Sequence, residues 1–156
     1  MNAAPLVHNG EADDGIIFGL TEDDTLNGNN GGDQIFGQLG IDDIDGGAGN
    51  DLLLGNEGND TLTDPSGTNT MNGGADDGTI TGGSGDDQIF GDGNLAQAGD
   101  DHIIGGLGTD LLLGFAGDDV MNSVDGVADV VNAGPHTVGD NCISDALTID
   151  TLFNCP

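Results

Sequence analysis

The sequence predicts an all-β solenoid, and three observations carry that prediction: a fixed short period, a constant content within each period, and too few large side chains for a core of ordinary build. From Gly28 to Phe90 the chain reads, in nines and without a gap, GNNGGDQIF, GQLGIDDID, GGAGNDLLL, GNEGNDTLT, DPSGTNTMN, GGADDGTIT and GGSGDDQIF. Each unit sets a glycine-rich, acid-bearing run of six before three residues whose middle member is apolar: Ile35, Ile44, Leu53, Leu62, Met71, Ile80 and Ile89. A unit of nine cannot bury its apolar side chain alone, so units must stack on one another. Only five Phe, and no Trp or Tyr, are available to fill any other kind of core.

Charge sets the next constraint. The 156 residues include no Lys or Arg against 29 Asp and Glu, a formal net charge of −29. Self-repulsion on that scale opposes compaction, and a chain so charged and so poor in aromatics ordinarily stays disordered. Disorder, however, gives no reason to place an apolar residue at every ninth position. A cation resolves the conflict, because regularly spaced carboxylates become ligands once a hard divalent ion lies between them, and all-oxygen sites suit calcium. Folding and binding are then one event, each site adding roughly 2.7 kcal/mol at a hundredfold excess over Kd.

The same composition excludes partners. Without Lys or Arg the chain has nothing to displace counterions from nucleic-acid phosphates and no basic patch for an anionic membrane surface. No apolar run approaches the ~20 residues that span a bilayer. The opening MNAAPLVHNG lacks the basic and apolar regions of a secretory signal, which points to another export route or to a chain already processed.

Taken in order, residues 1–8 read as an N-terminal tail or cap. Two imperfect units follow, NGEADDGII and GLTEDDTLN, with Phe18 as an extra residue between them and Asp14 and Asp24 placed before Ile16 and Leu26. In the seven-unit block, Asn69 and Gly78 stand where the other units carry Asp33, Asp42, Asp51, Asp60 and Asp87. Pro65 falls in a turn, where its missing N–H and fixed φ do no harm. Past Phe90 an insertion at about 94–98 shifts the register, which resumes in GDDHII, GGLGTDLLL and GFAGDDVMN, so the repeat region spans 9–122. From Ser123 the spacing loosens to ten or eleven, with Asp129, Asp140 and Asp150 as equivalents and Val131, Cys142 and Leu152 as apolar members, and 123–156 read as degenerate repeats with a C-terminal cap.

Within a unit, glycine supplies positive φ and close approach for a tight turn, and the triplet has the alternation of a short strand with one side chain in and two out. Two units make one coil, so each turn stacks on the turn two units later. An ion would lie between stacked turns, held by carboxylates and main-chain carbonyls.

These units, among them GGAGNDLLL, GNEGNDTLT, GGSGDDQIF and GGLGTDLLL, resemble the GGxGxDxUx nonapeptide of the RTX family of secreted calcium-binding proteins, whose fold is a parallel β-roll. The resemblance implies several bound Ca2+ ions, a secreted or cell-surface location, and ligation by the sixth-position residues Asp14, Asp24, Asp33, Asp42, Asp51, Asp60, Asp87, Asp101, Asp110 and Asp119. Fifth-position Asn50, Asn59, Asp86, Asp100 and Asp118 would shape the turn, partly through backbone oxygen. Asn69 still offers an amide oxygen and Gly78 offers nothing, so both edges of the roll lose a ligand at one height, unless Asp64, Asp76 and Asp77 compensate. Relatives join such repeats to a protease, lipase, toxin or adhesin; this chain leaves no room for one, so no enzymatic activity is expected.

Two residues flank each buried one, and the two sheets differ in what they show. One presents Gln34 and Phe36, Leu52 and Leu54, Thr70 and Asn72, Gln88 and Phe90, Leu111 and Leu113; the other presents Thr25 and Asn27, Asp43 and Asp45, Thr61 and Thr63, Thr79 and Thr81, His102 and Ile104. An apolar strip of Phe36, Leu52, Leu54, Phe90, Leu111 and Leu113 suggests a docking or self-association face, or a surface covered by the insertion or the C-terminal segment. The solenoid ends are a second route to filaments. The short threonine array on the second sheet reflects good strand propensity, with ice binding as the minor alternative. Cys142 and Cys155, thirteen apart, form a disulfide fastening the last coil, or else one buried thiol and one loose one. His8, His102 and His136 are scattered, and Ser84 lies in a repeat turn, so neither suggests a catalytic group. The expected role is a structural or adhesive calcium-binding protein, with a monomeric calcium module or buffer coupled to secretion as the alternative.

Overall fold

Alternation within short strands decides the architecture. The computed structural model describes residues 5–93, 97–135, 139–145 and 150–155; part of the insertion, and His136, lie outside the described residues. The first strands are β1 (Val7–Asn9), β2 (Ile16–Leu20), β3 (Thr25–Asn27), β4 (Gln34–Leu39), β5 (Asp43–Asp45), β6 (Leu52–Glu57), β7 (Thr61–Thr63) and β8 (Thr70–Ala75). They continue as β9 (Thr79–Thr81), β10 (Gln88–Asp92), β11 (His102–Ile104), β12 (Leu111–Leu113), β13 (Val120–Asn122), β14 (Val130–Asn132), β15 (Asn141–Ile143) and β16 (Thr151–Phe153). Odd strands form one eight-stranded sheet and even strands another, each strand pairing in parallel with the strand two ahead. The result is a parallel β-roll of about eight coils, two repeats to a coil.

Only the middle residue of each triplet points between the sheets. Leu26, Ile35, Ile44, Leu53, Leu62, Met71, Ile80, Ile89, Ile103 and Leu112 are each fully buried. Each is covered by its equivalents one coil above and below, so the core is a double column one side chain wide. Flat glycine turns let the coils close onto one another. Gly58, for example, has φ 129°, and a Cβ there would collide with the Gly40 carbonyl of the coil before, so a side chain is excluded by both torsion and contact.

The structure revises the frame at both ends. Ile17, not Ile16, is buried and pairs with Ile35, while Ile16 is exposed. The first unit therefore runs Gly10–Phe18, Phe18 is no extra residue, and Gly15 rather than Asp14 takes the sixth place. Val7 and His8 pair with Thr25 and Leu26, so a strand begins inside the segment read as a tail. Beyond Ser123, Val131 pairs with Leu112 and Leu152, and Cys142 with Met121, which carries the roll through the loosened units. Cys142 and Cys155 are joined by a disulfide, their Cα atoms 5.8 Å apart.

The apolar strip is real but half covered. Phe36, Leu52, Leu54, Phe90, Leu111 and Leu113 are all half-buried, because large flanking side chains lean on their equivalents one coil away; Phe18 stacks on Phe36 with ring centroids 5.0 Å apart. Gly93 and Gln97, beside the insertion, line a hollow with Leu54, Asn72 and Gly74.

Single-file packing has a direct test. Leu62→Ala in the calcium-loaded protein should cost about 2–5 kcal/mol by urea unfolding, whereas the exposed Thr61→Ala should stay within about 0.5 kcal/mol. Equal effects would mean that the column does not carry the fold.

Candidate functional site

At each turn the strand ladder breaks, and the main-chain N–H of the sixth-position residue needs another acceptor. The carboxylate one coil on supplies it. Asp24 N–H donates to Asp42 Oδ1 (2.8 Å), Asp42 N–H to Asp60 Oδ1 (2.8 Å), Asp33 N–H to Asp51 Oδ1 (2.7 Å), Asp87 N–H to Asp110 Oδ1 (2.9 Å) and Asp101 N–H to Asp119 Oδ1 (3.0 Å). The loosened units join the same series: Asp110 N–H donates to Asp129 Oδ1 (2.8 Å), Asp119 N–H to Asp140 Oδ1 (2.9 Å) and Asp129 N–H to Asp150 Oδ1 (3.1 Å). Each carboxylate thus spends one oxygen on stitching coils together.

The other oxygen is left over. Oδ2 of Asp24, Asp33, Asp42, Asp51, Asp60, Asp87, Asp101, Asp110, Asp119 and Asp129 is buried with no hydrogen-bond donor. At Gly19, Gly28, Gly37, Gly55, Gly82 and Gly91 it points back across its own turn to the glycine that opens the unit, where it meets a main-chain oxygen from the next coil. A Cβ built on Gly19 would lie 2.7 Å from Asp24 Oδ2 and 2.6 Å from the Gly37 carbonyl oxygen; one built on Gly82 would lie 2.7 Å from Asp87 Oδ2 and 2.6 Å from the Gly105 oxygen. The glycine leaves room in which a carboxylate oxygen and a carbonyl oxygen converge with nothing positive between them. A buried acceptor pair of this kind needs a proton or a cation. Among the described residues, no group of three or more His, Cys, Asp or Glu gathers to hold a metal, so any ligand set here draws on one or two carboxylates and the main chain. Oxygen-only donors at turns that a Cβ would fill fit a hard ion such as calcium.

Burial shows in the acidities. Desolvation, opposed by the backbone hydrogen bond and reinforced by neighbouring carboxylates, raises Asp60, Asp87, Asp101 and Asp119 to about 7. It raises Asp129 to about 6, and Asp33, Asp42 and Asp110 upward as well.

The fifth position makes a second series of opposite sense. Its side chain accepts from the N–H of the fifth residue one coil later: Thr68 N–H to Asn50 Oδ1 (2.9 Å), Thr109 N–H to Asp86 Oδ1 (2.8 Å) and Asp118 N–H to Asp100 Oδ1 (2.9 Å). Asp14 belongs to this exposed series, taking Gly32 N–H at 2.7 Å, and is not brought together with the buried oxygens. Asp23 and Asp77 act in the same way toward Ile41 and Asp100; Asn59 is exposed. Asn69 keeps its place in the sixth-position series, accepting Asp51 N–H at 3.0 Å, but presents a buried amide nitrogen where its equivalents present Oδ2. Gly78 donates to Asp101 Oδ1 at 2.7 Å and has no side chain to offer Asp60.

Two further buried carboxylates lie outside the sixth-position series: Asp64, which the sequence offered as compensating for Asn69, and Asp92, which it did not single out. Asp64 and Asp92 are fully buried, at the first and second places of their units, with Asp64 Oδ2 and Asp92 Oδ1 lacking donors. The available signal was an acid where the pattern has glycine.

The RTX calcium-binding nonapeptide repeat matches the chain in four copies, at residues 9–44, 37–63, 66–94 and 96–126. The chain belongs to the RTX calcium-binding repeat family. No curated protein matches it. As an RTX β-roll it is a calcium-binding fold, and its donor-free oxygens lie at the turns on which the family's pattern falls.

The raised acidities fix a pH dependence for the metal-stripped roll. Its carboxylates hold protons up to about 7 when folded, but only up to about 3.9 when unfolded. The folded state therefore binds more protons in that window, and its stability falls as pH rises through it. Metal-stripped protein should therefore show more β structure by far-UV circular dichroism at pH 5 than at pH 8. More β structure at pH 8 than at pH 5 would contradict the burial of these groups.

Proposed function

We propose that this chain is an extracellular calcium-dependent structural or adhesive protein, in which Asp24, Asp33, Asp42, Asp51, Asp60, Asp87, Asp101, Asp110 and Asp119 hold calcium and, with these carboxylates ionised, the roll forms only as they do. One observation carries the reading: a buried Oδ2 without a donor recurs at these turns along both edges. A chain of net charge −29 cannot keep such groups ionised in an empty fold, and a cation bound to the folded state alone shifts the balance. Calcium would supply positive charge between coils; the residues' own work is to orient one oxygen inward while the other fixes coil spacing. Asn50, Asp86 and Asp100 hold the turns in line. The disulfide between Cys142 and Cys155 accords with an oxidising exterior. The reading is of a binding fold without catalysis.

Assembly through the even-strand sheet is the finer part of the proposal, supported by the exposure of Ile16 (60%) and Phe18 (48%) beside the half-buried Phe36, Leu52 and Leu54. The half-burial of that strip favours the second reading, a monomeric calcium module.

Calcium titration of chelator-treated protein, followed by far-UV circular dichroism and light scattering, tests both parts. A coil-to-β transition is expected, and Asp60→Asn should move its midpoint to higher calcium. A chain already fully β and indifferent to calcium would refute the folding claim. Scattering that rises with the transition, and is suppressed in Leu52→Thr/Leu54→Thr, supports assembly; flat scattering at high protein concentration leaves the monomeric module.

A further inference from the structure

The unit DPSGTNTMN departs from the repeat in two ways that belong together. Its sixth residue is Asn69, which presents no charge, and its first is Asp64, where Gly28, Gly46, Gly82 and Gly105 stand on the same edge. Pro65, with φ fixed near −65°, replaces a second residue that is left-handed in other turns, as at Asn29 (φ 76°) and Gly83 (φ 88°). The altered turn is held by an Asx bond from Ser66 N–H to Asp64 Oδ1, 3.2 Å, which orients the Asp64 carboxylate.

That orientation aims Asp64 Oδ2 at the turn of the coil before. At Gly19, Gly28, Gly37, Gly55 and Gly82, a Cβ would meet the turn's own sixth-position Oδ2 and a main-chain carbonyl from the next coil. At Gly46 it would meet Asp51 Oδ2, at 2.9 Å, and, nearer than any main-chain oxygen, Asp64 Oδ2. Asp51 and Asp64 are 3% and 0% exposed. Their other oxygens are engaged, Asp51 Oδ1 by Asp33 N–H at 2.7 Å and Asp64 Oδ1 by Ser66. Neither Oδ2 has a donor. Two inward-facing carboxylate oxygens in one buried turn match the charge of a divalent ion, and they give this turn the carboxylate that the sixth position of the next coil, Asn69, does not supply.

We infer that the turn at Gly46 holds a divalent cation between Asp51 Oδ2 and Asp64 Oδ2, with Asp64 supplying from the first position the charge that Asn69 lacks at the sixth. The inference rests on the calcium reading above and deepens it: the interruption at Asn69 is a rebuilt site, not a vacant one. The Asn69 side chain accepts the Asp51 N–H and brings no charge.

Counting calcium ions by native mass spectrometry at saturating calcium chloride, with circular dichroism as the check on folding, decides it. Asp64→Asn should bind one ion fewer than the unaltered chain, and so should Asp64→Gly, which restores the glycine of the neighbouring units and gives the same measurement if the asparagine variant does not fold. Asp64→Gly combined with Asn69→Asp, a unit returned to the repeat pattern, should regain the lost ion. A full count in the single variants, as expected if the two acids merely share a proton, overturns the inference, and so does a double variant that stays one ion short. If the unaltered chain takes up no calcium at all, the calcium reading itself fails; if it takes up calcium and the Asp64 variants take up as much, only the assignment to Asp64 fails.

Discussion

One side chain, the sixth-position aspartate, does two incompatible-looking jobs. It must be buried between coils to accept the N–H that the turn leaves unpaired, and burial denies its second oxygen both water and a donor. A lone buried carboxylate is among the least favourable groups a fold can contain. Every other feature follows from relieving that tension: glycine at the first position to leave room beside Oδ2, a carbonyl from the next coil to complete an oxygen cradle, and the absence of any basic residue that could neutralise the carboxylate and so displace a cation.

The two Asx series give each coil contact a polarity. Sixth-position side chains serve the coil before, and fifth-position side chains serve the coil after. With apolar residues in single file between them, the strand pairings of the described residues join each coil to its immediate neighbours, so stability is a sum of nearest-neighbour terms. Gly78 is where that sum is thinnest on one edge, since no side chain there can serve the Asp60 N–H.

Much of this was legible in the sequence, because its determinants are periodic. The apolar centres from Leu26 to Met121 assigned every intervening strand to its sheet, and the flanking residues fell on the faces expected of them. What was not legible depends on contacts between coils. The run Asp13-Asp14-Gly15-Ile16-Ile17 fits two frames equally well by composition; Phe18 stacked on Phe36 belongs to the frame with Ile17 inside. The reach of Asp64 to Asp51 crosses from one coil to the one before, and no local pattern announces it. Half-burial of Phe36 and Leu54 arises from neighbours about 4.8 Å away along the roll, where a single unit read in isolation shows only an outward side chain.

The five-residue insertion has a further consequence. Gly78 N–H meets Asp101 Oδ1 across 23 residues at 2.7 Å, the same reach made elsewhere across eighteen, as from Asp33 to Asp51. The carboxylate bridge is thus the same whether the coil contains eighteen residues or twenty-three. The strands on either side, Thr79–Thr81 and His102–Ile104, stay paired in register across the added residues. The roll is in this respect a display rack, one rung of which carries five added residues while the rungs on either side keep their bonds.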